Sequence, residues 1–146
     1  MIGYRAVARV VVDQDFSQPL DRVFAYLSEH EHLGPLFGAK ITRVRDGEDG
    51  QRNGVGSVRR LKVGPLPPFE ETVTEMVPNE LIRYRITKGS PLRNHEGVMR
   101  FSPRGSGSHL HYEISFGAVV PGLDRLIAAG LKRNISAGLQ KVDSSA

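Results

Sequence analysis

Apolar positions along the chain change their spacing three times. Residues 4–16, YRAVARVVVDQDF, are rich in Val and carry no breaker, so a first strand is predicted there. From residue 17 the period lengthens. Leu20, Val23, Phe24 and Leu27 fall at i, i+3, i+4 and i+7, the stripe of an amphipathic helix. Ser17 or Gln18 is placed to cap it, and Pro19 suits its first turn. HLGPLFGA, interrupted by Gly34, Pro35 and Gly38, fits a second, very short helix. The period then returns to two. AKITRVRD, VGSVRRLKV, FEETVTEMV, ELIRYRITK, RNHEGVMRFS and SHLHYEISFGAVV each read as a strand, with turn residues between them. From Pro121 to about Val142 it lengthens again. Leu123, Ile127, Leu131, Ile135, Leu139 and Val142 form a helical stripe roughly six turns long. DSSA after it reads as a frayed tail.

This order predicts an α+β protein in one domain over residues 1–146. A curved seven-stranded antiparallel sheet wraps around the long C-terminal helix, with two short helices after strand 1. A straight helix laid across a curved sheet touches it only in part, and the remaining volume is a pocket open at the loops. Gly130, Asn134 and Gly138 form a small-residue row beside the helical stripe. They have two readings: close packing on the sheet, or space for a ligand beneath the helix.

Strand parity assigns faces. Leu110, Tyr112, Ile114 and Phe116 share one face of the last strand and must be concave, while His109, His111, Glu113 and Ser115 share the other. Ile82, Tyr84 and Ile86 are concave by the same rule, as are Met99 and Phe101. His95 goes with Met99, whereas Glu96 goes out with Arg100, so the adjacent histidine and glutamate do not form a pair. Phe69, Val73 and Val77 mark the inward face of their strand, and Glu71 shares it. Val55, Leu61 and Val63 share parity with Arg59. Short turns fix register. Glu71 should lie near Ile86, Ile86 near His95, and Arg59 within about one pair of Glu71, close enough for an ion pair. With Ile86 between them, Glu71 and His95 should stand roughly 10 Å apart at Cβ. That is too far for a hydrogen bond and suited to holding one ligand between them. Buried Arg–Glu pairs and lone inward histidines are also ordinary structural devices.

Composition narrows the functions. Charged residues are 25% and hydrophobic residues 39%, as in a soluble globular protein, and the net charge of +4 is mild. With no cysteine, thiolate catalysis and cysteine–zinc sites are excluded. MIGYRAVARV does not read as a signal peptide and no run is long enough to span a membrane, so a cytoplasmic location is expected. Arg43, Arg45, Arg52, Arg59, Arg60 and Lys62 are basic without interleaved aromatics, so nucleic acid is not expected. His30 and His32 do not share a helix face, and His109, His111 and Glu113 read as surface residues, so no metal is expected.

FSQPLDRVFAYLSE, GVGSVRRLKVG, FEETVTEMVPNELIRYRITKGSP and GVMRFSPRGSGSHLHYEISF, followed by the terminal helix, resemble the START-like (SRPBCC) superfamily. The similarity is to its polyketide cyclase/dehydrase-like branch and covers nearly the whole chain. It implies the helix-grip fold and a hydrophobic cavity. Relatives include aromatase/cyclases and lipid and hormone carriers, many with a tryptophan near the pocket; this chain has none.

Three functions follow as expectations. The first is binding of a polyketide-, lipid- or isoprenoid-like molecule between sheet and C-terminal helix, with no cofactor and no chemistry required. Tyr84, Met99, Phe101, Tyr112 and Phe116 would supply apolar contact, with Ile86, Ile114, Ile127, Leu131, Asn134 and Gly138 around them. Arg59, Glu71 and His95 would orient the polar end. The second is a cyclase, aromatase or dehydratase, with His95 or Glu71 as base and Arg59 or Tyr84 stabilising an enolate. The third is a partner-binding protein, a homodimer included, that uses its convex face or a sheet edge.

Overall fold

The computed structural model describes residues 8–90, 92–118, 120 and 122–146. Positions 4–7 of the predicted first strand, and Pro121 at the predicted start of the last helix, lie outside the described residues. Strands β1 (Ala8–Phe16), β2 (Lys40–Arg45), β3 (Val58–Lys62), β4 (Phe69–Val77), β5 (Leu81–Lys88), β6 (Leu92–Arg104) and β7 (Gly107–Ala118) build one antiparallel sheet. Its order is β1-β7-β6-β5-β4-β3-β2, so consecutive strands from β2 to β7 are neighbours and β1 closes on β7. Helices α1 (Leu20–Ser28) and α2 (Gly34–Phe37) follow β1, and α3 (Leu123–Leu139) ends in a single further turn, α4 (Val142–Ser145). No helix among the described residues is long and apolar enough to cross a membrane.

The start of α1 is secured differently from the sequence expectation. Neither Ser17 nor Gln18 caps the helix through its side chain; Pro19 is the flanking residue, and its carbonyl accepts from the N–H groups of Arg22 and Val23. The residues before it are held from the far end of the chain. The Asp143 carboxylate accepts from the backbone N–H of Ser17 at 3.0 Å and of Gln18 at 3.1 Å. These bonds lower the pKa of Asp143. The predicted frayed tail is therefore docked, and Val142 beside it is buried.

Two parity assignments are also corrected. Val55 lies before β3 and is exposed, so Leu61 and Arg59 alone mark the inward face of that strand. A register shift between Val73 and Glu75 reverses the faces of β4 beyond it. Met76, paired with Ile82, packs on the core in place of Val77.

The concave face divides into two regions. Val23, Phe24 and Leu27 of α1 fill one of them, Phe24 meeting Phe101 edge-on at 5.0 Å between ring centroids. The C-terminal half of α3 buries Ile135 and Leu139 completely. Gly138 belongs to this packing: a Cβ there would lie 3.1–3.2 Å from Leu36 of α2, the Leu36 backbone included. Its lack of a side chain allows helix-to-helix contact and leaves no ligand space. Gly138→Leu is thus expected to lower stability by about 1–3 kcal/mol in chemical denaturation, despite glycine's poor helix propensity.

Candidate functional site

Towards its N-terminal half α3 lifts off the sheet, over a cavity of about 550 Å³. This is the size of a small-molecule site. Ile127, Gly130, Leu131 and Asn134 line it from the helix, at the i, i+3, i+4 and i+7 spacing of a single helix face. Leu61, Phe69 and Ile114 line it from the sheet, and Phe37 from α2. Val63, Leu66 and Pro67 after β3, and Gly89 and Ser90 after β5, form the rim with Leu92. Gly130 stands apart from Gly138 in its surroundings: a Cβ on it would meet nothing within 4 Å.

Four of the cavity-lining residues form its inner polar end: Glu71, Tyr84, Ile86 and His95. Arg59 and Glu71 are directly opposite across β3 and β4, and Glu71 pairs with Ile86 across β4 and β5. Arg59 Nε donates to Glu71 Oε1 at 2.8 Å, with both side chains buried. The guanidinium lies 4.6 Å from the Tyr84 ring centroid and 5.8 Å from that of Phe37. His95 follows Asn94, whose φ of +51° lies in the left-handed region that asparagine tolerates better than most residues. The β6–β7 register shifts here, with Asn94 and His95 falling between the Arg93 and Glu96 pairs. Such a bulge re-aims a side chain. The imidazole turns onto β5, where its Nδ1 accepts the backbone N–H of Ile86 at 2.9 Å. Its Nε2 then lies 3.7 Å from Glu71 Oε2. The gap expected between Glu71 and His95 is thus spanned by the two side chains, because long side chains converge where their Cα positions do not. Burial lowers the His95 pKa, with Glu71 opposing and Arg59 reinforcing the shift.

Six of the residues expected around the ligand do not line the cavity. Arg59 sits behind Glu71, walled off by Phe37 and Tyr84. Met99, Phe101 and Phe116 are core residues on the filled part of the concave face. The Tyr112 hydroxyl is hydrogen-bonded to that of Tyr84, and burial raises the pKa of both phenols. Gly138 packs on Leu36. Parity shows which face a side chain takes, and α1 determines how much of that face is already occupied.

The chain matches, over residues 7–146, the family described as polyketide cyclase / dehydrase and lipid transport. It belongs to that family. None of the curated proteins compared matches it. Among solved structures, a START superfamily protein from Mycobacterium smegmatis is similar with a TM-score of 0.77 and 16% identity, over 94% of this chain and 99% of that one. A truncated norcoclaurine synthase from Thalictrum flavum gives a TM-score of 0.71 and 15% identity, over 94% and 93%. The Aha1 dimer from Colwellia psychrerythraea gives 0.68 and 9%, over 93% and 96%. At these identities the likeness is one of fold, and it is the START-like helix-grip fold.

Family membership leaves the surface clusters to be read from their own contacts. Most of the basic cluster is paired. Arg43 bonds Glu29 and Glu31 at 2.9 Å, Arg52 reaches Glu29 at 2.8 Å, and Arg60 reaches Glu70 at 3.2 Å. His32 stacks on Tyr26 with ring centroids 4.0 Å apart, whereas His30 points into the core. On the convex face, His109 and His111 interleave with carboxylates from β1. His109 lies 2.6 Å from Asp15 and 3.0 Å from Asp13; His111 lies 2.8 Å from Asp13 and 3.4 Å from Glu113. The hydrogen bond to Asp15 raises the His109 pKa, and that to Asp13 raises the His111 pKa. A histidine pKa raised in the folded state adds stability below the unfolded value, about 6.5, and that stability is lost as pH rises through the folded value. Replacing both with asparagine is expected to flatten the fall in melting temperature between pH 6 and pH 9. An unchanged slope in the double variant would show that the ladder carries none of it.

Proposed function

We propose that this protein binds a hydrophobic small molecule, polyketide-, lipid- or isoprenoid-like, in the cavity beneath α3, and that it does so without needing to catalyse a reaction. The observation carrying this reading is the cavity itself: about 550 Å³, walled mainly by apolar side chains, with a few convergent polar groups at one end. Membership of a family described by both cyclase/dehydrase activity and lipid transport is compatible with carriage and with catalysis. The geometry favours carriage. A general base needs a free lone pair within reach of its proton. The Nδ1 lone pair of His95 is occupied by the Ile86 N–H, so the imidazole has none to offer; Glu71 gives one oxygen to Arg59 and keeps only Oε2 towards the cavity. Of the two expected enolate stabilisers, Arg59 does not border the cavity, and Tyr84, which does, has its hydroxyl hydrogen-bonded to that of Tyr112.

The test uses Gly130, where a side chain would project into open space. Thermal-shift screening with aromatic polyketides, fatty acids and isoprenoids should identify stabilising compounds. Gly130→Leu should then weaken their binding at least about tenfold while the melting temperature holds or rises, since leucine is the better helix former. Binding that survives Gly130→Leu undiminished would mean that the cavity is not the site.

A further inference from the structure

We infer that the polar end of the cavity is built to receive a neutral hydroxyl group, so that the molecule held is a hydrophobic alcohol or phenol rather than a carboxylic acid. This rests on the cavity being the binding site.

The inference starts from the histidine tautomer. The backbone N–H of Ile86 donates to His95 Nδ1, so that nitrogen carries the lone pair. A neutral imidazole then carries its proton on Nε2. The nearest acceptor recorded for that N–H is Glu71 Oε2, at 3.7 Å, which is beyond hydrogen-bond range. Glu71 uses its other oxygen, Oε1, to accept from Arg59. Neither His95 Nε2 nor Glu71 Oε2 has a hydrogen-bond partner among the described residues. Both side chains line the cavity. The cavity therefore offers one N–H donor and one carboxylate acceptor side by side, each without a hydrogen-bond partner.

A hydroxyl matches this arrangement because it needs one of each. Its oxygen accepts from Nε2–H and its proton goes to Oε2. An oxygen about 2.8 Å from both atoms closes a triangle on the 3.7 Å base. Other head groups satisfy only half. A ligand carboxylate finds one donor and is set against the Glu71 oxygen. An ether or ketone accepts from His95 and leaves Oε2 unpaired, a cost that a buried acceptor does not escape. An ammonium could donate to Oε2, but it faces the Nε2–H and the Arg59 charge that already balances Glu71. Phe37, Leu61, Phe69, Ile114, Ile127 and Leu131 enclose the remaining volume in apolar surface, which suits the hydrocarbon body of such a molecule.

Three probes with the same biphenyl body separate these cases: 4-phenylphenol, 4-methoxybiphenyl and biphenyl-4-carboxylate, titrated against the full chain by calorimetry. The phenol is expected to bind at least about tenfold tighter than either of the others, the fold-change of one unsatisfied buried polar group. Glu71→Gln keeps an oxygen for Arg59 and presents N–H to the cavity in place of Oε2. It should remove the preference for the phenol and bring the carboxylate level with it. The methoxy compound, which donates to neither atom, should hold its affinity within about twofold and so reports that the cavity is intact. Equal affinity of all three for the parent, or tightest binding of the carboxylate, overturns the hydroxyl inference and leaves the cavity reading standing. If no probe binds, or if binding ignores Gly130→Leu, the cavity reading fails and this inference falls with it.

Discussion

Glu71→Ala is expected to destabilise the fold by about 3–5 kcal/mol, measured by urea denaturation near neutral pH. The size follows from what the substitution leaves behind. Arg59 is 2% exposed, and its Nη2 is buried without a hydrogen-bond partner. Its Nε–H to Glu71 is the charge-assisted bond that compensates its removal from water. The faces of Tyr84 and Phe37 attract the guanidinium, but an aromatic face contributes on the order of 1–2 kcal/mol and cannot replace a carboxylate. Taking both partners away together gives the contrasting result. Arg59→Met with Glu71→Leu removes the stranded charge as well as the bond, so the double variant should recover most of the loss. It should also lose the preference for a hydroxyl over other acceptor head groups, because the acceptor at the cavity's inner end goes with it. A Glu71→Ala variant within about 1 kcal/mol of the parent would mean that water reaches Arg59, and that the pair is not the buried unit described here.

The order of elements was readable because each strand alternates cleanly and each turn carries its own breaker. The pairing of Arg59 with Glu71 and of Glu71 with Ile86 was readable for the same reason, since short turns leave little freedom of register. Features that depend on a third element were not. Nothing local to Met99, Phe101 or Phe116 says that this part of the concave face is already filled by other packing. Nothing local to Gly138 says that Leu36 lies against it. Asn94 was the one local clue to the bulge that turns His95 onto Ile86, as a residue that accepts a positive φ in the middle of a strand. The rim, with Leu66 and Pro67 on one side and Gly89 and Ser90 on the other, came from segments that read only as turns. Gly97 gave a similar hint. It sits opposite Tyr84, and a Cβ there would fall 2.2 Å from the tyrosine ring, so the glycine is what lets that ring lie across β6 beside the cavity.

Stability is expected to fall steeply below pH 6.5, and His30, outside the cavity, should be a main cause. His30 is fully buried. The Ser57 hydroxyl spends its one proton on the Gly54 carbonyl at 2.6 Å, so the 2.9 Å contact between His30 and Ser57 is a bond donated by His30 Nε2. That fixes the proton on Nε2 and leaves Nδ1 buried with no partner. Protonating Nδ1 would place a cation in the core near Arg59 and Arg43. Burial first, then those two arginines, push the His30 pKa down to about 3, with Glu31 opposing them. A depressed pKa in the folded state gives stability that is whole above the unfolded value, about 6.5, and is lost as pH falls towards the folded one. The loss runs at about 1.4 kcal/mol per pH unit, so about 3 kcal/mol has gone by pH 4. Burial acts in the same direction on His95, while the raised pKa values of His109 and His111 act above pH 6.5. Together they give a stability maximum near pH 6.5. His30→Gln isolates the acid limb, since glutamine can still donate to Ser57 and carries no titrating group. The variant should be less stable than the parent at pH 7 by about 1 kcal/mol and more stable at pH 4, with the two curves crossing between about pH 5 and 6. Parallel curves from pH 7 to pH 4 would show that His30 takes up its proton as easily folded as unfolded, and would remove it from the acid transition.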